Sequence, residues 1–206
     1  PFEQLVPSLA TSIGSSADRP TALAELMGIL VNDGVRRPSV RVNRLHFAAD
    51  TPYDTRLERQ IDAGEQVLPP EVAQATRRAL RHVVDGGTAR RVKEVYRDAD
   101  GKPIDLGGKT GTGDHRYQTI GADGEVKASR VMNRAATFAF YIGDRFYGVV
   151  TAFVPGAKAA GYDLTSALPV QLLKELQPVL QPLILFREGC AYRTRALAWQ
   201  RATGHA

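Results

Sequence analysis

Cysteine is almost absent from this chain of 206 residues, in which Cys190 is the only one. A single thiol can form no disulfide within the chain and no cysteine-based metal site. The four histidines, at positions 46, 82, 115 and 205, do not have the spacing of metal ligands. We therefore expect neither a metal nor a cofactor.

Long apolar runs and dense basic runs are also missing. No segment is apolar over the length of a membrane-spanning helix, and no signal peptide or internal repeat is visible. The net charge is +5, and the arginine pairs at 36–37, 77–78 and 90–91 are scattered along the chain. No basic run is interleaved with aromatic residues. This pattern argues against a nucleic-acid surface. An apolar fraction of 43% is enough for one domain with its own core.

The most informative segment that is present reads Gly-Gly-Lys-Thr-Gly-Thr, over residues 107–112. Its Gly-Lys-Thr part also fits a phosphate-binding P-loop, but that loop needs a glycine where this chain has Pro103. Proline lacks the N–H that such a loop would donate. Lys-Thr-Gly is instead one of three active-site motifs shared by serine β-lactamases and penicillin-binding proteins.

The other two motifs of that group are Ser-x-x-Lys, which holds the nucleophile, and Ser-x-Asn. The chain has seven serines, at positions 8, 12, 15, 16, 39, 129 and 166. None has Lys three residues later, and none has Asn two residues later. The sequence therefore contains one wall of a catalytic cleft without its nucleophile.

The residues around the motif favour a strand at the edge of an antiparallel sheet. Two β-rich runs follow it and are separated by a short Gly-containing link, as in a hairpin. We predict adjacent antiparallel strands over residues 104–112, 133–142 and 146–154, with a polar connection over 114–130. An apolar stripe of leucines predicts a helix near 165–177 that covers one face of the sheet, with breaks at the prolines after it.

The first half of the chain is predicted to be helical with inserts. One helix starts at Pro20 and ends before Asn32, and a short strand is expected within residues 40–47. A second helix starts at Pro69-Pro70 and closes at Gly86-Gly87. We predict that its inward residues are Val72, Ala75, Leu80, Val83 and Val84. Its outer face, with Arg77, Arg78 and Arg81, is interpreted as a solvated basic surface.

In its order of segments, the chain resembles the C-terminal part of the transpeptidase domain of a class A, bifunctional penicillin-binding protein. The resemblance runs over about residues 5–155. It includes Pro7 to Ser16, the approach to the second helix from Val67 to Ala73, the Gly-Thr-small step at Gly87-Thr88-Ala89, and the Lys-Thr-Gly-Thr motif. The chain departs from many class A members after the motif, where it has Arg134-Ala135-Ala136-Thr137-Phe138. The expected fold is α+β, an antiparallel sheet covered by helices, as a partial domain of the β-lactamase and transpeptidase type.

The resemblance implies acyl transfer between peptidoglycan stem peptides that end in D-Ala-D-Ala, through a serine outside this chain. It implies substrate binding by Lys109, Thr110, Gly111 and Thr112. The resemblance further implies that Lys109 and Thr112 take part in catalysis, the first near the terminal carboxylate and the second as an oxyanion-hole N–H. Strand alternation puts Lys109 and Gly111 on one face and the two threonines on the other. β-Lactams and the upstream half of the same domain are the implied partners. A glycosyltransferase and a membrane anchor would precede the chain, and the chain itself would lie at the periplasmic, extracytoplasmic face of the cytoplasmic membrane.

Two hypotheses remain open. In the first, residues 1–186 are part of a transpeptidase domain, inactive alone, and residues 187–206 form a C-terminal extension. In the second, the chain is a non-catalytic binding or interaction module on the same fold. We favour the first, because the chain starts with Pro1 at a point where the family is already past its second motif.

Overall fold

The computed structural model describes residues 9, 18–60 and 62–185. Its helices are α1 (Pro20–Val31), α2 (Pro70–Asp85), α3 (Ala167–Glu175) and α4 (Gln177–Leu185), with 3-10 turns at Arg90–Val92 and Ala157–Gly161. Its strands are β1 (Val35–Arg36), β2 (Arg44–Phe47), β3 (Thr55–Glu58), β4 (Glu65–Gln66), β5 (Leu106–Ile120), β6 (Val126–Ile142) and β7 (Phe146–Pro155). The proposed extension over 187–206 and the resembling segment over residues 10–16 lie outside the described residues. Among the helices of the described part, none combines the length and apolar character of a membrane span.

The central sheet is antiparallel, in the order β5-β6-β7. Lys109 pairs with Ala139, which pairs in turn with Val149. The three predicted strands are therefore confirmed. The prediction that the motif strand lies at an edge is also confirmed, because β5 pairs on one side only among the described residues.

The predicted polar connection over 114–130 is wrong. β5 continues to Ile120 and β6 begins at Val126, so that only a short turn separates them. We call residues 116–131 the arm, a two-stranded ribbon beyond the end of β7 at Pro155. Nearly all arm side chains are exposed, so no alternation of apolar residues marks these strands in the sequence. Main-chain pairing, which needs no apolar side chain, forms the ribbon.

One face of the sheet, which we call the Phe138 face, carries the larger part of the core. Leu106 of β5 packs there with Phe138, and α3 contributes Val170 and Leu173. Tyr96 is also buried in this cluster and donates its hydroxyl to Leu173 O at 2.7 Å. Burial raises the pKa of Tyr96 to about 12. The prediction that a helix near residues 165–177 covers one face is thus confirmed, although α3 ends at Glu175 and a second helix, α4, follows it.

The opposite face, which we call the Lys109 face, is covered in part by α1 and α2. Met27 and Leu30 of α1 and Ala73 of α2 cluster with Ala139 of β6. The contact is close at Gly28, where an added Cβ would lie 2.7 Å from the ring of Tyr147. Glycine at this position therefore lets α1 approach the sheet.

The predicted orientation of α2 is partly wrong. Val84 is buried as predicted, but Val72 and Ala75 are exposed, and Ala73 is buried in place of Val72. Arg77, assigned to the solvated face, lies over the Tyr141 ring at 4.9 Å and donates to Gly143 O at 3.1 Å. The cation–π contact and the buried stem of Arg77 favour a rotation of the helix that apolar periodicity does not reveal.

The insert between α1 and α2 forms two small antiparallel ladders. β1 pairs with β4, and β2 pairs with β3. The short strand predicted within residues 40–47 is confirmed at Arg44–Phe47, although all four of its residues are exposed. Leu45 and Leu57 face each other in this hairpin.

Candidate functional site

The candidate site is the open edge of β5 along residues 108–114. The N–H of Gly143 donates to Asp105 O at 2.7 Å, which sets the phase of the β5–β6 ladder. Register is unbroken from Leu106 to His115, so odd-numbered residues of β5 bond to β6. Even-numbered residues then direct their N–H and C=O groups to the open edge. Thr110 and Thr112 are two of these residues.

Lys109 agrees with this phase. Its Nζ atom donates to Thr110 O at 2.7 Å, as expected for a carbonyl that faces the open edge. An ammonium group has three N–H donors, so this bond leaves others for a ligand. The positive charge therefore sits beside the open edge.

The side chains of the motif alternate as predicted. Thr110 is buried, and its hydroxyl lies 2.7 Å from the hydroxyl of Thr88. Thr112 accepts the N–H of Ser166 through Oγ1 at 2.9 Å. Both threonine hydroxyls are thus engaged on the Phe138 face, whereas Lys109 is exposed. Sequence reasoning gave no role to Thr88 or Ser166.

The four glycines around the motif serve two different purposes. A Cβ on Gly107 would lie 2.5 Å from the Tyr141 ring, and one on Gly108 would lie 2.4 Å from Ala139 O. These two glycines are required by packing. Gly111 and Gly113, in contrast, have no atom within 4 Å of such a Cβ. Their open face leaves space for a molecule to approach the backbone.

A cluster of charged residues, missed from the sequence, follows the motif on β5. Arg134 of β6 donates to Asp114 through Nε at 2.7 Å and through Nη2 at 3.2 Å. Arg116 donates to the same carboxylate at 3.2 Å. The hydrogen bond from Arg134, followed by its charge, holds the pKa of Asp114 below its usual range. Arg134 also donates to Tyr162 O, which fastens the chain before α3 to this end of the sheet.

The alternation of side chains along β5 is the signal that could have revealed this cluster. Thr110, Thr112 and Asp114 are alternate residues, so an unbroken strand puts them on one face. Because the polar connection was predicted to begin at residue 114, Asp114 was not assigned to the strand that carries the two threonines. Within the described residues, no group of three His, Cys, Asp or Glu side chains is placed to hold a metal ion.

Comparison with protein families gives one match. The family model for the penicillin binding protein transpeptidase domain matches residues 5–164. No curated protein matches the chain.

Several solved structures share part of the architecture. A peptidoglycan synthetase from Bifidobacterium adolescentis is 16% identical, with 81% of this chain and 27% of that chain covered and a TM-score of 0.47. Penicillin binding protein 3 from Mycobacterium tuberculosis, complexed with ampicillin, is 20% identical, with 81% and 36% covered and a TM-score of 0.44. The TP domain of Burkholderia pseudomallei penicillin-binding protein 3 is 19% identical, with 76% and 41% covered and a TM-score of 0.42. The chain thus spans roughly a third of the length of these structures.

Proposed function

This chain belongs to the penicillin binding protein transpeptidase domain family, and from that membership we propose that it is part of a peptidoglycan D,D-transpeptidase whose β5 edge binds the peptide substrate. A serine outside this chain attacks the carbonyl of the penultimate D-Ala, and the terminal D-Ala leaves. An amine of a neighbouring stem then takes the acyl group and releases the serine. The observation that carries the proposal is the open β5 edge at Lys-Thr-Gly-Thr, with Lys109 beside it.

Each residue of the motif has a role in this proposal. Lys109 pairs with the terminal carboxylate of the substrate. Thr112 donates its backbone N–H to the oxyanion, a contact that contributes about 10²–10³ in rate in comparable sites. Thr110 offers its backbone to the added strand while Thr88 holds its hydroxyl. Gly111 keeps the face beside the ligand clear.

Further parts of the proposal rest on the resemblance to class A members. The parent protein would carry a glycosyltransferase upstream, be anchored in the membrane there, and work on the extracytoplasmic side. β-Lactams would bind as substrate analogues at the same edge. We also propose that residues 1–186 belong to the transpeptidase-like domain and that residues 187–206 form a C-terminal extension.

The test joins the chain to the upstream half encoded by its gene and measures the rate of acylation by a penicillin. Lys109→Ala should slow acylation by about 10-fold or more, because a hydrogen bond to a charged group contributes about 1.5–3 kcal/mol. Lys127→Ala is the matched control, since Lys127 lies at the end of the arm and pairs with Asp123 at 2.8 Å. Equal acylation rates in the two variants would contradict the proposed role of Lys109 in binding the carboxylate.

A non-catalytic binding module is the second candidate, and the lack of Ser-x-x-Lys in these 206 residues supports it only if the natural chain begins near Pro1. The upstream sequence of the gene distinguishes the two. A Ser-x-x-Lys and a Ser-x-Asn in frame upstream support the transpeptidase, and their absence there supports the binding module.

A further inference from the structure

We propose that the hairpin of β2 and β3 is a membrane-docking surface, which inserts one apolar face into a lipid bilayer with anionic headgroups. The hairpin belongs to the insert between α1 and α2, and none of its residues is part of the β5 edge. The inference therefore goes beyond the proposed acyl transfer, and its test is separate from the test of that function.

The register of the hairpin sorts its side chains into two unlike faces. Leu45 is opposite Leu57, and Phe47 is opposite Thr55. Opposed residues of an antiparallel pair share one face, and so do alternate residues of each strand. Leu45, Phe47 and Leu57 therefore lie on the same side of the hairpin, which we call the apolar face.

The apolar face is exposed to solvent. The exposed fractions are 43% for Leu45, 52% for Phe47 and 55% for Leu57. Within the described part of the chain, neither core cluster includes a residue of the two strands. A two-stranded hairpin without a packed face is marginally stable in water, and contiguous exposed apolar side chains mark interaction surfaces. The apolar face therefore calls for a partner.

The charged side chains of the hairpin already have partners within it. Arg44 contacts Glu58 at 2.6 Å. His46 Nε2 lies 2.9 Å from Asp54 Oδ2, and Arg56 lies 3.5 Å from Asp54 Oδ1. Arg44, His46 and Arg56 alternate with the apolar residues, so they belong to the opposite face. A partner is thus needed on one side only, which suits a surface that the hairpin enters with its apolar face.

The charges that remain favour an anionic partner. Residues 37–60 hold five arginines and three acidic residues. When the pairs above are set aside, the described residues provide no ion pair for three arginines and one acid, which are Arg37, Arg41, Arg59 and Asp50. The N–H of Arg59 donates to Asn43 O at 3.0 Å, which continues the register past Glu58. Arg59 therefore lies at the end of the apolar face.

A lipid bilayer fits this combination better than a second copy of the chain does. Two copies that met through their apolar faces would bring the same arginines together, and like charges oppose association. A bilayer interface accepts aliphatic and aromatic side chains at its acyl boundary, and its anionic headgroups attract arginine. Tyr53, between the two strands, is 81% exposed, and tyrosine is enriched at membrane interfaces. The membrane anchor proposed for the parent protein would hold the chain near such a surface, and this last argument alone rests on the proposed function.

The test measures co-sedimentation of the 206-residue chain with vesicles of phosphatidylglycerol and phosphatidylcholine in equal parts. We expect about tenfold weaker binding to vesicles of phosphatidylcholine alone, because arginines near an anionic surface each contribute several-fold. The double variant Leu45→Ser/Leu57→Ser should weaken binding to the mixed vesicles by about tenfold, since it removes apolar burial at constant charge. Ile120→Ser/Val126→Ser is the matched control, an exposed opposed pair on the arm, and should bind like the native chain.

Two further variants keep the test independent of the folding of the serine variant. Arg59→Gln should weaken binding by about threefold to fivefold, whereas Arg130→Gln, which removes the same charge from the arm, should change it by less than about twofold. Phe47→Trp, combined with Trp199→Phe, puts the single tryptophan on the apolar face. Its emission should shift to the blue when mixed vesicles are added, as the side chain leaves water.

Three results would each overturn the docking. Equal losses in the hairpin and arm variants, or binding without a blue shift, would mean that the basic chain adsorbs through its charge alone. A dimer in sedimentation velocity that Leu45→Ser/Leu57→Ser abolishes would assign the apolar face to a second copy. Vesicle binding that disappears once the chain is joined to its upstream half would show that the complete domain covers the hairpin. Each of these results leaves the proposed transpeptidase function standing, because acylation by penicillin is measured separately.

Discussion

Thr88 and Thr110 share a hydrogen bond beneath the motif strand, with 2.7 Å between their oxygens. Thr88→Val should destabilise the chain by about 1–3 kcal/mol, because it leaves the buried Thr110 hydroxyl without its partner. The double variant with Thr110→Val should recover much of this loss, since both partners then become apolar. Urea unfolding measures the free energies. Thr119→Val, on the exposed arm, is the control and should stay within about 0.5 kcal/mol. Additive losses in the double variant would contradict the buried pair.

Asp114 makes stability depend on pH. Its pKa in the folded chain is lowered, chiefly by the hydrogen bond from Arg134. The unfolded chain therefore binds the proton more readily, and the contribution of the ion pair is present above the ordinary pKa of about 4 and lost as pH falls through the lowered value. We expect Asp114→Asn to lower the free energy of unfolding at pH 7, with the difference from the native chain shrinking towards pH 2. A difference that is constant with pH would contradict this origin.

Strand elements were predictable where burial gives them a pattern. Phe138, Phe140 and Ile142 alternate on one face and pack into the core, so the apolar run marks β6 there. The arm could not be predicted in the same way, because Tyr117 and Ile120 are exposed and its polar residues read as a loop. The charged cluster at Asp114 was missed for the same reason, since it lies where the predicted strand stopped.

Helix α2 shows a second limit of sequence reasoning. Its ends were predictable, because Pro70 and Gly86 start and stop a helix through their own backbone preferences. Its rotation was not, because it depends on the contact of Arg77 with Tyr141, 64 residues away in sequence. A small residue, Ala73, replaces Val72 at the interface and brings the helix close to the sheet.

The packing of β5 gives a prediction at the scale of this element. Gly108→Ala should destabilise the chain by about 1–3 kcal/mol, because its Cβ would meet the backbone oxygen of Ala139. Gly113→Ala is the matched control on the same strand, where a Cβ meets open space. It should stay within about 0.5 kcal/mol of the native chain. Thermal or urea unfolding checks the pair, and equal losses would mean that Gly108 is not constrained by β6.

At the scale of the whole molecule, the side chains of the Lys-Thr-Gly-Thr motif are divided between the two faces of the sheet. The Phe138 face holds the core cluster with α3, and the threonine hydroxyls point towards it. The Lys109 face carries the exposed ammonium and the two unobstructed glycines. A ligand at the edge would thus meet charge on one side and a fixed wall, the chain before α3, on the other.

These positions predict that the 206-residue chain alone forms no covalent adduct with penicillin. Acylation needs a hydroxyl with a base beside it, because serine at its ordinary pKa is a weak nucleophile. Ser166 is next to Thr112 on the Phe138 face, away from Lys109. Ser129 is next to Arg116, whose guanidinium has N–H donors and no acceptor and so cannot act as a base. None of the seven serines has a lysine one helical turn later in the sequence.

Intact-mass spectrometry after incubation with excess penicillin should therefore show the unmodified mass. Weak non-covalent binding at Lys109 should be lost in denaturant. The chain joined to its upstream half is the positive control and should gain one acyl group. A stoichiometric adduct on the chain alone, mapped to any of its serines, would show that it contains a nucleophile and would refute the view that the serine must come from outside it.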